Sequence, residues 1–345
     1  MRASTTVGGI AAAGLALSTL AGCGSSSDAA SGMKLTIGYT AIGAAYSDLY
    51  VCEDQGVFKK NGLDVKLTLL NSSSQLVAGL ASNSVQIGAG VASSTAAGIL
   101  KGIDLRYVAL PIPHYYLEMW GKPSITSVDD IKGKKIGLSS PGSLGDASLD
   151  ALLEEKGWSE DDVQKTFLKS TPAEVTALEQ GAVDAIVTQP PTGTQTREKG
   201  FTKVTDFTKF PAAANAYTVK ASYLDSNSKA IAAFVKSETE CLSILHNNKK
   251  AAIASILKHS GNDDPELAEY SYNFFNRLWA KEPSVAPELI DQAFAAAAAE
   301  GDGEKPSDTA KYVDNSFVDQ LKQSGFINSL YSKNAAAKDA NGNQS

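Results

Sequence analysis

The residues best suited to chemistry fall in six short stretches rich in Gly, Ser, Thr and Tyr, at 39–46, 72–74, 90–94, 139–145, 171 and 188–192. The candidates are Tyr39, Thr40, Tyr46, Ser72, Ser73, Gly90, Ser93, Ser140, Gly142, Ser143, Thr171, Thr188, Gln189 and Pro190. His114 and Tyr115 join them from a strand end. Hydroxyls and amides hydrogen-bond a small molecule, and glycine lets the backbone come close to it. None of the six stretches contains Lys or Arg, so an oxyanion has no bidentate clamp there. Arg106, Arg197 and Arg277 fall instead on strand or helix bodies. Tyr39, Tyr46, Tyr115, Tyr116 and Trp120 offer ring faces for a flat organic molecule. Taken singly, each stretch also reads as an ordinary helix cap or turn. Their common placement at strand ends makes the stronger argument for a ligand site.

Catalytic groups are sparse. The three histidines, His114, His246 and His259, are far apart, and the sequence has no phosphate loop, nucleophile elbow or metal-ligand spacing. The expectation is therefore a binding protein with no metal and no cofactor. A net charge of −7 argues against nucleic acid as partner.

The N-terminus points to a compartment. Arg2 precedes an uncharged run, Gly8 to Ala21, with the length of a signal-peptide core. The run ends in Leu20-Ala21-Gly22-Cys23, which matches the bacterial lipobox and makes the Cys23 thiol the site of a palmitate-bearing lipid anchor. A Gly/Ser/Ala tether follows. The predicted location is extracytoplasmic, held to the cell membrane by that lipid. Cys52 and Cys241 remain, an even number in an oxidising compartment. They form either a disulfide or two buried thiols.

The elements that must position the candidates alternate between strand and helix. Predicted strands cover 34–39, 63–70, 85–90, 105–110, 135–139, 166–169, 201–205 and 217–220. The helices between them begin near Tyr46, Ser72, Ser93, Asp146 and Thr171, the last of these residues being a predicted cap. This order implies α/β lobes built on parallel sheets. One unit recurs: Val85-Gln86-Ile87 and Val183-Asp184-Ala185 each lead, seventeen residues later, to a glycine stop at Gly102 and Gly200. After Lys220 the chain reads as helices at 227–246, 249–259, 264–278 and 287–299. In open parallel sheets ligands bind beyond the carboxyl ends of strands, which is where all six stretches fall.

Further stretches carry a resemblance: Ile37-Gly38-Tyr39, Gly56 to Val65, Val85 to Gly88, Asp129 to Gly137 and Ala177 to Ala185. From about Lys34 to Leu321 the chain resembles the type II periplasmic binding proteins of the nitrate, sulfonate, taurine and thiamine-precursor group. The resemblance implies two Rossmann-like lobes joined by two crossing strands, near 114–121 and 210–219, with extra C-terminal helices. The division it implies is a signal peptide at 1–23, a tether at 24–33, lobe I at 34–117 and 212–330, lobe II at 118–211, and a tail at 331–345. It implies a monomer that passes a small-molecule ligand to an ABC permease and its ATPase. The cargo it points to is a small organic solute such as a heteroaromatic vitamin precursor or a sulfonate. A sensing lipoprotein of the same fold is the alternative. The group also includes an enzyme of thiamine-pyrimidine synthesis, but its cysteine-rich motif is missing here.

Overall fold

The computed structural model describes residues 32–70, 72–261 and 263–332. The signal peptide, Cys23, nearly all of the tether and the tail from residue 333 lie outside the described residues.

Among the described residues, ten strands form two five-stranded sheets. They are β1 (Met33–Tyr39), β2 (Leu63–Leu69), β3 (Ile87–Gly90), β4 (Leu105–His114), β5 (Glu118–Gly121), β6 (Lys135–Leu138), β7 (Gln164–Phe167), β8 (Ala185–Thr188), β9 (Thr202–Asp206) and β10 (Pro211–Lys220). The first sheet runs β2-β1-β3-β10-β4 and the second β7-β6-β8-β5-β9. Position for position the two orders match, with β1, β2, β3 and β4 answering to β6, β7, β8 and β9. The strand inserted beside the last position comes in each case from a crossing.

Neither sheet is wholly parallel, contrary to the expectation from alternating strands and helices. β10 runs antiparallel to β3 and β4, and β5 antiparallel to β8 and β9. Each of these strands enters its sheet straight from the other lobe, without a crossover helix to turn it round. The crossings are 115–117 and 207–210, so most of 210–219 belongs to β10 itself. The two crossings hydrogen-bond to one another. Tyr115 N donates to Phe210 O (3.1 Å), and Phe207 N donates to Leu117 O (3.0 Å).

The repeated unit maps onto β3 and β8 with the helices that follow them, Ala92–Leu100 and Thr192–Arg197. Gly102 and Gly200 end those units at φ 93° and 88°, conformations that glycine reaches without strain. Of the C-terminal helices Ser228–Asn247, Lys249–His259, Pro265–Phe275 and Pro287–Ala299, the first two pack on the helix Ser47–Asp54 and the last on Ala92–Leu100 and β10, all elements of the first sheet and its helices. Cys52, on the helix Ser47–Asp54, is joined to Cys241, on Ser228–Asn247, by a disulfide. Tyr331 and Ser332, assigned to the tail from sequence, still lie in helix.

Candidate functional site

A cleft of about 2220 Å³ opens between the two sheets and is lined from both. On the first-lobe side, Thr40 follows β1, and Ser72 caps the helix Ser73–Ser82 by accepting from Gln75 N. Ser93 lies in the first turn of Ala92–Leu100, which starts one residue earlier than its hydroxyls suggest, on an extended Val91. On the second-lobe side, Ser143 caps Leu144–Lys156 by accepting from Asp146 N, and Gly142 N donates to the Asp146 carboxylate. Thr171 opens the helix Thr171–Glu179. Its cap is Ser170, whose extended backbone takes the N-cap position, so the cap falls one residue before the expected Thr171. Four helix N-termini thus face one space, and their unpaired N–H groups make it favourable for polar ligand groups.

Twelve of the sixteen sequence candidates line this cleft: Thr40, Tyr46, Ser72, Ser73, Ser93, Tyr115, Ser140, Gly142, Ser143, Thr171, Thr188 and Gln189. The structure does not bring Tyr39, Gly90, His114 or Pro190 to its surface. The Tyr39 ring packs 5.4 Å from that of Tyr46 without joining the lining. A Cβ on Gly90 would meet Leu76 Cδ2 at 2.8 Å, so that glycine serves packing. His114 closes β4, with Nδ1 buried and unpartnered among the described residues. His246 bonds to Trp279 O, and His259 bonds to Asp54 and stacks on Tyr50; neither lines the cleft.

Of the expected aromatics, Tyr46, Tyr115 and Tyr116 are in the lining, whereas Trp120 is not. Trp120 is fully buried in the second lobe, where its Nε1 donates to Glu118 (3.0 Å). It packs so tightly against the helix Thr192–Arg197 that a Cβ on Gly193 would fall 1.9 Å from Nε1. Trp158 and Phe210 supply cleft rings instead. Thr40 and Tyr46 share a 2.8 Å hydrogen bond, and burial pushes the Tyr46 phenol up to about 12. Burial does the same to Tyr115, also about 12, so both phenols stay neutral and can donate.

The charged lining was not foreseen. Lys169, read from sequence as the end of a strand, lies beyond β7 at φ 70° and faces the cleft. The cleft edge is therefore not free of basic residues. Among the described residues no arginine lines it, and Arg197 instead sits over the Trp120 ring. Asp146 is buried at 3% exposure and pairs with Lys165 (2.8 Å), which also reaches Asp150 and Glu160. Burial opposes the Lys165 charge, but the hydrogen bonds it donates to Asp146 and Asp150 outweigh that and raise its pKa. Glu174 lines the cleft from the helix Thr171–Glu179, and burial alone raises its carboxyl to about 8. Its one local signal is a carboxylate in the first turns of a helix that starts at the cleft edge.

Behind the cleft, at the lobe junction, Glu118 accepts from Trp120, from Tyr270 OH (2.7 Å) and from Lys203 (2.7 Å). Tyr270 belongs to the C-terminal helix Pro265–Phe275, so this buried carboxylate ties β5 to the first lobe. At the cleft mouth, Gln189 Nε2 donates to Ile42 O at 3.1 Å. The arrangement can hold and enclose a small molecule. Among the described residues it presents no nucleophile paired with a base.

Solved structures share this architecture. The alkanesulfonate-binding protein SsuA of Xanthomonas axonopodis pv. citri, bound to MOPS, aligns at TM-score 0.68 and 19% identity, covering 82% of this chain and 98% of that one. The aliphatic sulphonate binding protein SsuA of Escherichia coli aligns at 0.69 and 20%, over 81% and 97%. The nitrate-binding protein NrtA of Synechocystis PCC 6803 aligns at 0.68 and 15%, over 85% and 89%. At these identities the likeness establishes the two-lobed periplasmic-binding-protein fold. A family model described as NMT1/THI5 like matches residues 44–252, more than half of the sequence and most of both lobes. The chain is a member of the NMT1/THI5-like family.

Proposed function

We propose that this protein is the extracytoplasmic solute-binding component of an ABC importer. It captures one small organic solute between its lobes and presents the closed pair to a permease served by an ATPase. The observation that carries the reading is the cleft itself, where polar helix starts and tyrosine rings from both sheets face one space. The names of the aligned structures, which bind alkanesulfonates or nitrate, support the same class of work.

Ligand pockets usually measure about 300–1,000 Å³, well below the 2220 Å³ here, so a small solute would fill only part of the cleft and further approach of the lobes would enclose it. The paired crossings 115–117 and 207–210 are the natural hinge. The hydroxyls and tyrosine rings of the lining, with no arginine fork among the described residues, favour an organic and ring-bearing cargo over an inorganic oxyanion. A heteroaromatic vitamin precursor is one member of that class. In this reading the protein acts as a monomer, tethered to the membrane by lipid on Cys23, and performs no reaction on its cargo.

Calorimetric titration against a panel of ring compounds, alkanesulfonates and nitrate tests the cargo. Ring compounds should bind with a stoichiometry near one. Tight nitrate or alkanesulfonate binding, with none for ring compounds, would overturn the organic assignment.

A further inference from the structure

Glu174 stands out from the hydroxyl lining. It is 1% exposed, faces the cleft, and its Oε2 has no hydrogen-bond partner among the described residues. Leaving such a group bare costs about 1–3 kcal/mol, and natural proteins keep few of them. The buried lysine of the same lobe, Lys165, is already committed to Asp146, Asp150 and Glu160. Of the seven other carboxylate residues in the lining, five are paired with lysines: Asp146, Asp150 and Glu160 with Lys165, Glu155 with Lys209, and Asp302 with Lys101. Glu174 has no such ion pair among the described residues.

We propose that Glu174 receives a protonated or N–H-bearing nitrogen of the captured solute, so that the cargo is an organic nitrogen base rather than a sulfonate or an inorganic oxyanion. A nitrogen donor supplies the missing partner, and a cationic one would favour the ionised carboxylate over the neutral acid that burial alone maintains. The inference deepens the function proposed above and rests on it.

Titration with matched probes tests it: benzylamine and benzamidine against benzyl alcohol and benzenesulfonate. The proteins are wild type, Glu174→Gln, and Glu174→Asp as the conservative control, each checked for an unchanged circular-dichroism spectrum. The nitrogen bases should bind wild type at least about ten-fold better than their counterparts. Glu174→Gln should abolish that preference, and Glu174→Asp should keep part of it. If Gln fails to fold, the Asp variant against wild type still reads the preference. A preference that survives in Glu174→Gln, or benzenesulfonate binding that no substitution changes, overturns the role of Glu174 and leaves solute capture standing. Failure of every probe to bind wild type counts against both.

Discussion

Gln189 and Ile42 meet across the cleft: the Gln189 side-chain amide donates to the Ile42 carbonyl at 3.1 Å and links the loop after β8 to the loop after β1. The contact depends on Gly43, where a Cβ would come within 3.0 Å of Gln189 Nε2 at a φ of 156°. A single hydrogen bond nets about 0.5–1.5 kcal/mol, enough to shift an open–closed equilibrium several-fold. Gln189→Ala should therefore favour the open pair of lobes. Small-angle scattering should show a larger radius of gyration for the unliganded variant, with titration reporting weaker solute binding. Identical scattering would place the equilibrium elsewhere.

The Cys52–Cys241 bridge ties two helices across a sequence separation of 189 residues. Removing a native disulfide typically costs about 2–5 kcal/mol. Adding a reductant, or making the Cys52→Ser and Cys241→Ser double variant, should lower the melting temperature by several degrees. Two thiols open to alkylation in the native protein would show that the bridge does not form in solution.

Lys165 holds a buried acid in place. Lys165→Met would leave the Asp146 carboxylate, 3% exposed, without its cation. Breaking a buried pair from one side costs about 3–5 kcal/mol, so the second lobe should become the less stable one. Denaturant unfolding should show an earlier or a split transition. Loss below about 1 kcal/mol would mean that the pair is effectively solvated.

Stability should also fall as the solution becomes more alkaline. Glu174 titrates at about 8 in the folded chain, against 4.5 for a free glutamate. Between those values the unfolded chain gives up its proton while the folded one keeps it, so unfolding gains ground as pH rises, and the loss levels off above the folded pKa. Asp48 and Glu238, both fully buried with raised pKa values, act in the same sense. Glu174→Gln should therefore be more stable than wild type near pH 8 by more than it is near pH 5, as read by thermal melts across that range. Parallel curves would mean that the carboxyl is solvated.

Much of this molecule was readable from local pattern. The strands expected at 34–39 and 63–70 became β1 and β2, and the glycine stops at 102 and 200 closed matching units. Most candidates in the loops after strands reached the cleft because the topology sends those loops there, although Tyr39, Gly90, His114 and Pro190 did not. What escaped was settled by distant partners. Nothing local tells β5 and β10 to enter the opposite sheet, and nothing within Glu118–Gly121 tells Trp120 to turn inward toward Gly193. Lys169 was hidden because the strand ends at Phe167, two residues earlier than its pattern implied. Glu174 became notable only once the fold had buried it and provided no cation.

The interlobe cleft should hold one small organic solute in the cell. The most direct test is mass analysis of small molecules released by denaturing protein that was folded in the cell, set against a variant whose cleft is filled by Ser140→Trp. The account predicts one organic compound, near equimolar with the wild-type protein and absent from the blocked variant. Equal yields from both preparations, or no small molecule from either, would contradict it.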